Sequence, residues 1–178
     1  KLDYSELSRV VIQSEGRQKP LDTYARESIL LLTGKSKFMG LSPMELIFSF
    51  IADFSTLYQK PILLADYQGF LDRLHLSLNG SHYIAPKTLR DNSEFMILIK
   101  SVQSKKESGE KLDKTEQAAL KIYERLARFY DIASGTTLTI YPTSDGKWKS
   151  LFEISNQYPF DTLTADVKDI EAITALAS

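Results

Sequence analysis

A chain of 178 residues that is 43% apolar and 25% charged has the size and core content of one folded domain. Its formal net charge of −1, with no basic stripe, argues against nucleic-acid binding. The absence of cysteine excludes a disulfide, a thiolate metal site and a cysteine nucleophile within these residues.

The chain opens on Lys1 with neither an initiator methionine nor a signal peptide in view, so a piece excised from a longer protein is expected. No apolar run approaches the ~20 residues that cross a bilayer. The longest candidate, residues 44–57, is interrupted by Glu45, Ser49 and Asp53.

Residues 1–9 are polar, and the β-branched run Val10-Val11-Ile12 predicts a short strand over 10–13. Gly16 suits a turn that needs positive φ, and Pro20 pre-sets φ for the start of a helix. That helix puts Leu21, Tyr24, Ala25, Ser28, Ile29 and Leu32 on one face and Thr23, Arg26 and Glu27 on the other, with Gly34 as its stop. Ser42-Pro43-Met44-Glu45 is a capping box with proline at the first helical position. It predicts a helix to about residue 58, its apolar face made by Leu46, Ile47, Phe50, Ile51, Phe54 and Leu57, broken by Lys60-Pro61. This aromatic-rich helix reads as core, or as a docking surface if one side is exposed. Residues 62–76 read as another helix, with Gly69 as a weak point or a site of close packing, and Asn79-Gly80 as a turn.

Ala85-Pro86 opens a predicted helix to about Lys105, followed by a charged, solvated bend over 104–114. Asp113-Lys114-Thr115-Glu116 resembles a second capping box. The longest helix starts there and runs to about residue 133, with Leu120, Tyr123, Leu126, Ala127 and Tyr130 on one face and Gly135 as its stop. Residues 136–141 alternate as a strand, Asp145-Gly146 is a strong hairpin signal, and 147–152 form the return strand. A lone hairpin is marginal in water, so the strand at 10–13 is the expected third member. A closing helix is predicted over 161–177. The expected fold is α+β, mainly α-helical with a small antiparallel sheet made of an N-terminal strand and a C-terminal hairpin, in one domain spanning 1–178.

Arg17, Lys19, Asp22, Arg26 and Glu27 form the densest polar group near a chain bend. One reading is a surface that orients a carboxylate or propionate through arginine's bidentate fork, with Arg17 and Lys19 exposed. The other is an internal set of pairs, Asp22 with Arg26 at i, i+4, pinning turn to helix. Gly34-Lys35-Ser36 lacks the earlier glycine and preceding strand of a phosphate loop, and no GxSxG elbow is present. A rival of another class is a hydrolase-type enzyme using an Asp/Glu pair between Asp53 and Asp72; two close carboxylates in one pocket would favour it.

Ile12-Gln13, Gly16-Arg17 and Lys19-Pro20-Leu21-Asp22-Thr23-Tyr24-Ala25-Arg26-Glu27, with Thr33-Gly34-Lys35-Ser36 and Phe38 downstream, resemble a known segment. It is that of the extracytoplasmic region of bacterial cytochrome c biogenesis proteins, of the haem-handling System II cytochrome c synthase type. Lys60-Pro61-Ile62, Tyr141-Pro142 and Trp148-Lys149-Ser150-Leu151 are weaker echoes.

The resemblance implies a non-catalytic domain at the periplasmic face of the inner membrane that assists haem delivery or apocytochrome c docking. Its partners would be apocytochrome c and other maturation proteins, and its membrane spans would lie outside this chain. Haem would belong to the parent protein, a cytochrome c haem lyase, with no catalytic residue, metal or cofactor expected here. His75 and His82 are the only candidates for axial haem ligands. Neither sits in a CxxCH motif, and the family's tryptophan-rich motif is missing, Trp148 being the single tryptophan.

Overall fold

Glu15 and Gly16 both hold positive φ, 54° and 75°, the pair of conformations that a two-residue type I′ hairpin loop requires. The chain therefore folds back at once, from strand β1 (Val11–Ser14) into strand β2 (Arg17–Pro20). The stretch expected as a polar turn is thus itself a strand. The computed structural model describes residues 4–144 and 146–157. Helix α1 (Leu21–Thr33) follows without a break, with Pro20 just ahead of its first turn, and Gly34 closes it in the left-handed conformation. Its buried face matches the expected one and adds Thr33.

The capping box at Ser42 and Glu45 forms, and it opens α2 (Pro43–Ala52). The helix does not continue to residue 58. Asp53 leaves helical geometry and caps a separate α3 (Phe54–Gln59), its Oδ1 accepting from Thr56 N at 3.3 Å. Residues 62–76 depart further from expectation. The run Ile62-Leu63-Leu64-Ala65 is buried except for a half-buried Leu64, and within it β3 (Leu63–Leu64) pairs antiparallel with β4 (Tyr83–Ile84). A short apolar run after proline carries no periodicity to separate strand from helix. Only α4 (Gln68–Arg73) is helical there, and the Tyr67 ring lies against Gly69, where a Cβ would come within 2.8 Å of Tyr67 Cε1. Gly69 is therefore a site of close packing.

The helix opened at Pro86 likewise splits, into α5 (Pro86–Arg90) and α6 (Ser93–Glu107). Asn92 divides them because its side chain accepts from Phe95 N at 2.9 Å and caps the second helix. Helix α7 (Lys114–Ser134) then runs through the centre and packs against α1, α2, α4, α6 and β3. Ala119, Ile122, Leu126, Phe129 and Ile132 form its buried stripe. The expected face, centred on Leu120, Tyr123, Ala127 and Tyr130, is rotated to the half-buried margin. Phe129 meets Phe50 edge-on and Phe54 in a stack, at 5.4 and 5.6 Å between centroids. Of the aromatic side chains in this segment Phe50 is core, Phe48 and Tyr58 pack half-buried against it, and Phe54 is exposed at its edge.

Gly135 ends α7, and β5 (Thr139–Pro142) and β6 (Trp148–Ser150) complete the larger sheet. Its order is β2-β1-β5-β6, with Gln13 opposite Thr139, so the N-terminal strand joins the C-terminal hairpin as expected. The return strand is shorter than 147–152 because Leu151 already begins α8 (Leu151–Gln157), with Glu153 accepting from Ser150 N. Asp145 of the hairpin signal and the helix expected over 161–177 lie outside the described residues. The class is α+β, mainly helical with a small antiparallel sheet.

Glu116 ties α7 to α6. Its carboxylate accepts from Asp113 N at 2.9 Å, completing the second capping box, and from Lys105 Nζ at 2.6 Å. The Lys105 hydrogen bond, then the capping bond, hold this carboxyl below its ordinary value of 4.5. A depressed folded-state value contributes stability above about pH 4.5 that is lost as pH falls below it. The melting-temperature gap between wild type and Glu116→Gln is therefore expected to be widest near neutrality and to narrow in melts taken below that pH.

Candidate functional site

The two-residue loop sets the register that decides where the basic corner points. Ile12 stands opposite Lys19 and Ser14 opposite Arg17, so both cations share the face of the buried Ile12 and Ser14. Lys19 lies back over α1. Its Nζ is 2.6 Å from Glu27 Oε2 and its side chain is 15% exposed. Asp22 and Arg26 pair one turn apart on α1 at 2.8 Å. Four of the five expected residues thus satisfy one another. Lys19 corrects the expectation of a free surface cation: its stem covers apolar surface at the sheet margin while the head reaches a carboxylate. Arg17, Arg26 and Glu27 are exposed, and of the five only the Arg17 side chain makes no hydrogen bond or ion pair with a described residue.

Behind this corner lies a tie that the local pattern does not announce. Arg128 Nη2 donates to Glu15 Oε1 at 2.5 Å, and its guanidinium stands 5.7 Å from the centroid of the Tyr24 ring. Tyr24 is buried, and its hydroxyl shares a hydrogen bond with Thr137. Hairpin loop, α1, α7 and the lead into β5 therefore meet around one cation. The Arg128 hydrogen bond and charge hold the Glu15 carboxyl below its usual range, with Lys19 and Arg17 adding weaker pulls against a small burial effect. On the next turn of α7, burial lifts the Asp131 carboxyl, and Arg128 opposes it. Glu15 and Arg128 are 113 residues apart, beyond any spacing rule that a sequence offers.

Both histidines are exposed. His75 is the left-handed residue just past α4, with φ 53° and an 83% exposed side chain. Its N–H bonds to Asp72 O at 3.2 Å and that of Leu76 to Leu71 O at 2.9 Å, the paired bonds of a Schellman stop. His82 is exposed and presents its carbonyl to Ala65 N at 2.8 Å. No group of three or more metal-binding side chains occurs among the described residues.

The acids of the hydrolase reading are each in local use or apart. Asp53 caps α3, and Asp72 accepts from Gln68 Nε2 at 2.7 Å. Asp66 lines a pocket of about 210 Å³ whose wall holds no second carboxylate, so the close pair which that reading needs is missing there. Arg125, on the same wall, was also missed, because its partners lie 94 and 61 residues away. Neither a family model nor a curated protein matches this sequence.

Two stability measurements check these placements. By urea unfolding, Arg17→Ala is expected within about 0.5 kcal/mol of wild type, and Lys19→Ala to cost roughly 1 kcal/mol through its covered stem and its pair. His75→Gly is expected to stabilise the chain by about 1 kcal/mol, since glycine holds the left-handed conformation without the Cβ penalty.

Proposed function

We propose that this chain is a non-catalytic extracytoplasmic domain of a cytochrome c biogenesis protein of the haem-handling synthase type. In that reading it works at the periplasmic face of the inner membrane and helps haem delivery or apocytochrome c docking. Haem handling and thioether formation belong to membrane-embedded parts of the parent protein outside these residues. The segment that carries the family resemblance, residues 12–27, occupies the corner where hairpin and α1 meet.

The observation that carries the reading is Arg17. It stands exposed on the outermost strand, while Lys19, Asp22, Arg26 and Glu27 are paired among themselves. A pinned corner that leaves one arginine fork unspent suits recognition of a carboxylate on a partner chain or on a haem propionate. Its side chain has no ion-pair partner among the described residues, and its charge adds a weak pull on Glu15.

In a strain that depends on the parent protein, Arg17→Ala is expected to lower the yield of mature cytochrome c several-fold, read by haem staining of membranes. The isolated chain should keep its melting temperature. Arg17→Lys should rescue only in part, because an ammonium lacks the bidentate geometry. Unchanged maturation with Arg17→Ala would make this stretch a folding corner and remove the binding role.

A further inference from the structure

We propose that Arg125, with Lys114 and Lys121, forms a binding site for a phosphate-class dianion between α7 and the segment that joins β3 to α4. Arg125 Nε donates to Leu31 O at 3.0 Å and Nη1 to Leu64 O at 2.6 Å. A guanidinium has five N–H groups, so Nη2 and one hydrogen of Nη1 remain uncommitted. These two backbone bonds fix the fork in place before any ligand arrives.

The cation is half-buried, and no carboxylate lies within ion-pair distance of it among the described residues. Burial works against its charge, with Asp66 and Glu124 opposing from further off. A partly desolvated cation without a close counter-ion gains most from an anion that supplies one.

The surroundings select the anion. Lys114, Gln117, Lys121 and Arg125 follow one face of α7, and across from them stand Asp66 and Tyr67. The Lys114 and Lys121 ammonium groups form no ion pair with a described residue. Three cations facing one carboxylate leave a surplus of two positive charges on the wall. The space, about 210 Å³, is below the roughly 300–1,000 Å³ of pockets that enclose a drug-sized molecule. It takes a small tetrahedral oxyanion, free or at the end of a larger ligand, and it shares no residue with the corner around Arg17.

The test is an amide NMR titration of the 178-residue chain with inorganic phosphate, against sodium chloride at matched ionic strength. Saturable shifts at Asp66, Tyr67, Lys121 and Arg125 are expected with phosphate and not with chloride. Lys121→Ala should weaken binding about fivefold while leaving the melting temperature unchanged, since this ammonium supports no described contact. Co-sedimentation with phosphatidic acid vesicles, whose headgroup is a phosphomonoester, that falls in the Lys114→Ala/Lys121→Ala variant would name a lipid headgroup as the source. Phosphate shifts without co-sedimentation would name a soluble phosphate. Absence of phosphate shifts, their reproduction by chloride, or an unchanged titration in Lys121→Ala overturns the proposal.

Discussion

Burial of one stripe on α7 organises this domain. Ile122, Leu126, Phe129 and Ile132 lie along a helix of 21 residues, and α1, α2, α4, α6 and β3 all pack on it. Each such side chain contributes roughly 1.5–3 kcal/mol by leaving water, so the stripe is a large share of what holds a domain of this size together. The flanks of the same helix carry Arg125 and Arg128, whose heads reach over the neighbouring elements. Leu31 and Leu64 carbonyls take the first, and Glu15 takes the second. A central helix therefore buries its apolar side and uses one long cation to hold two backbone carbonyls and the other to hold a carboxylate.

The hairpin corner is built from the opposite kind of force. Its interior contribution is modest, Ile12 and Ser14 being its buried side chains in β1. What positions it is geometry: two consecutive left-handed residues, then a proline leading directly into α1. Exposed or half-exposed pairs such as Lys19–Glu27 and Asp22–Arg26 are worth only tenths of a kcal/mol to about 1 kcal/mol each, so they orient the corner more than they stabilise it. The aromatic contact between Arg128 and Tyr24 joins this corner to the core through a buried ring, which makes the placement of Arg17 a property of the whole fold.

Local signals were legible in the sequence and non-local ones were not. Ser42-Pro43-Met44-Glu45 and Asp113-Lys114-Thr115-Glu116 each contain donor, acceptor and spacing within four residues, and both capping boxes form. Gly34 and Gly135 stop their helices because no side chain resists the left-handed turn there. Asp53 and Asn92 also cap, but each lies inside a continuous apolar periodicity that hides the break. Ile62 to Ala65 is too short to show a period, and its strand identity comes from Tyr83 and Ile84, some twenty residues on. Glu15-Gly16 lacks the Asn or Asp that marks most tight hairpins, so β2 passed for a turn. Within the site, Asp22–Arg26 follows from helical spacing, whereas Arg128 and Arg125 reach partners that only the folded chain brings near.

Pro20 has a consequence for how the sheet meets other chains. In the register set by the hairpin, Arg17 and Lys19 turn their backbone polar groups towards β1, and Gln18 and Pro20 turn theirs outward. Proline has no N–H to offer, so among the residues of β2 the open edge presents a single amide donor, at Gln18. At the far side β6 is three residues long and passes straight into α8. An extended peptide looking for a strand to zip onto finds almost no ladder at either border, which guards the sheet against edge-to-edge association. Whatever docks along this side must be read by side chains rather than by main-chain pairing.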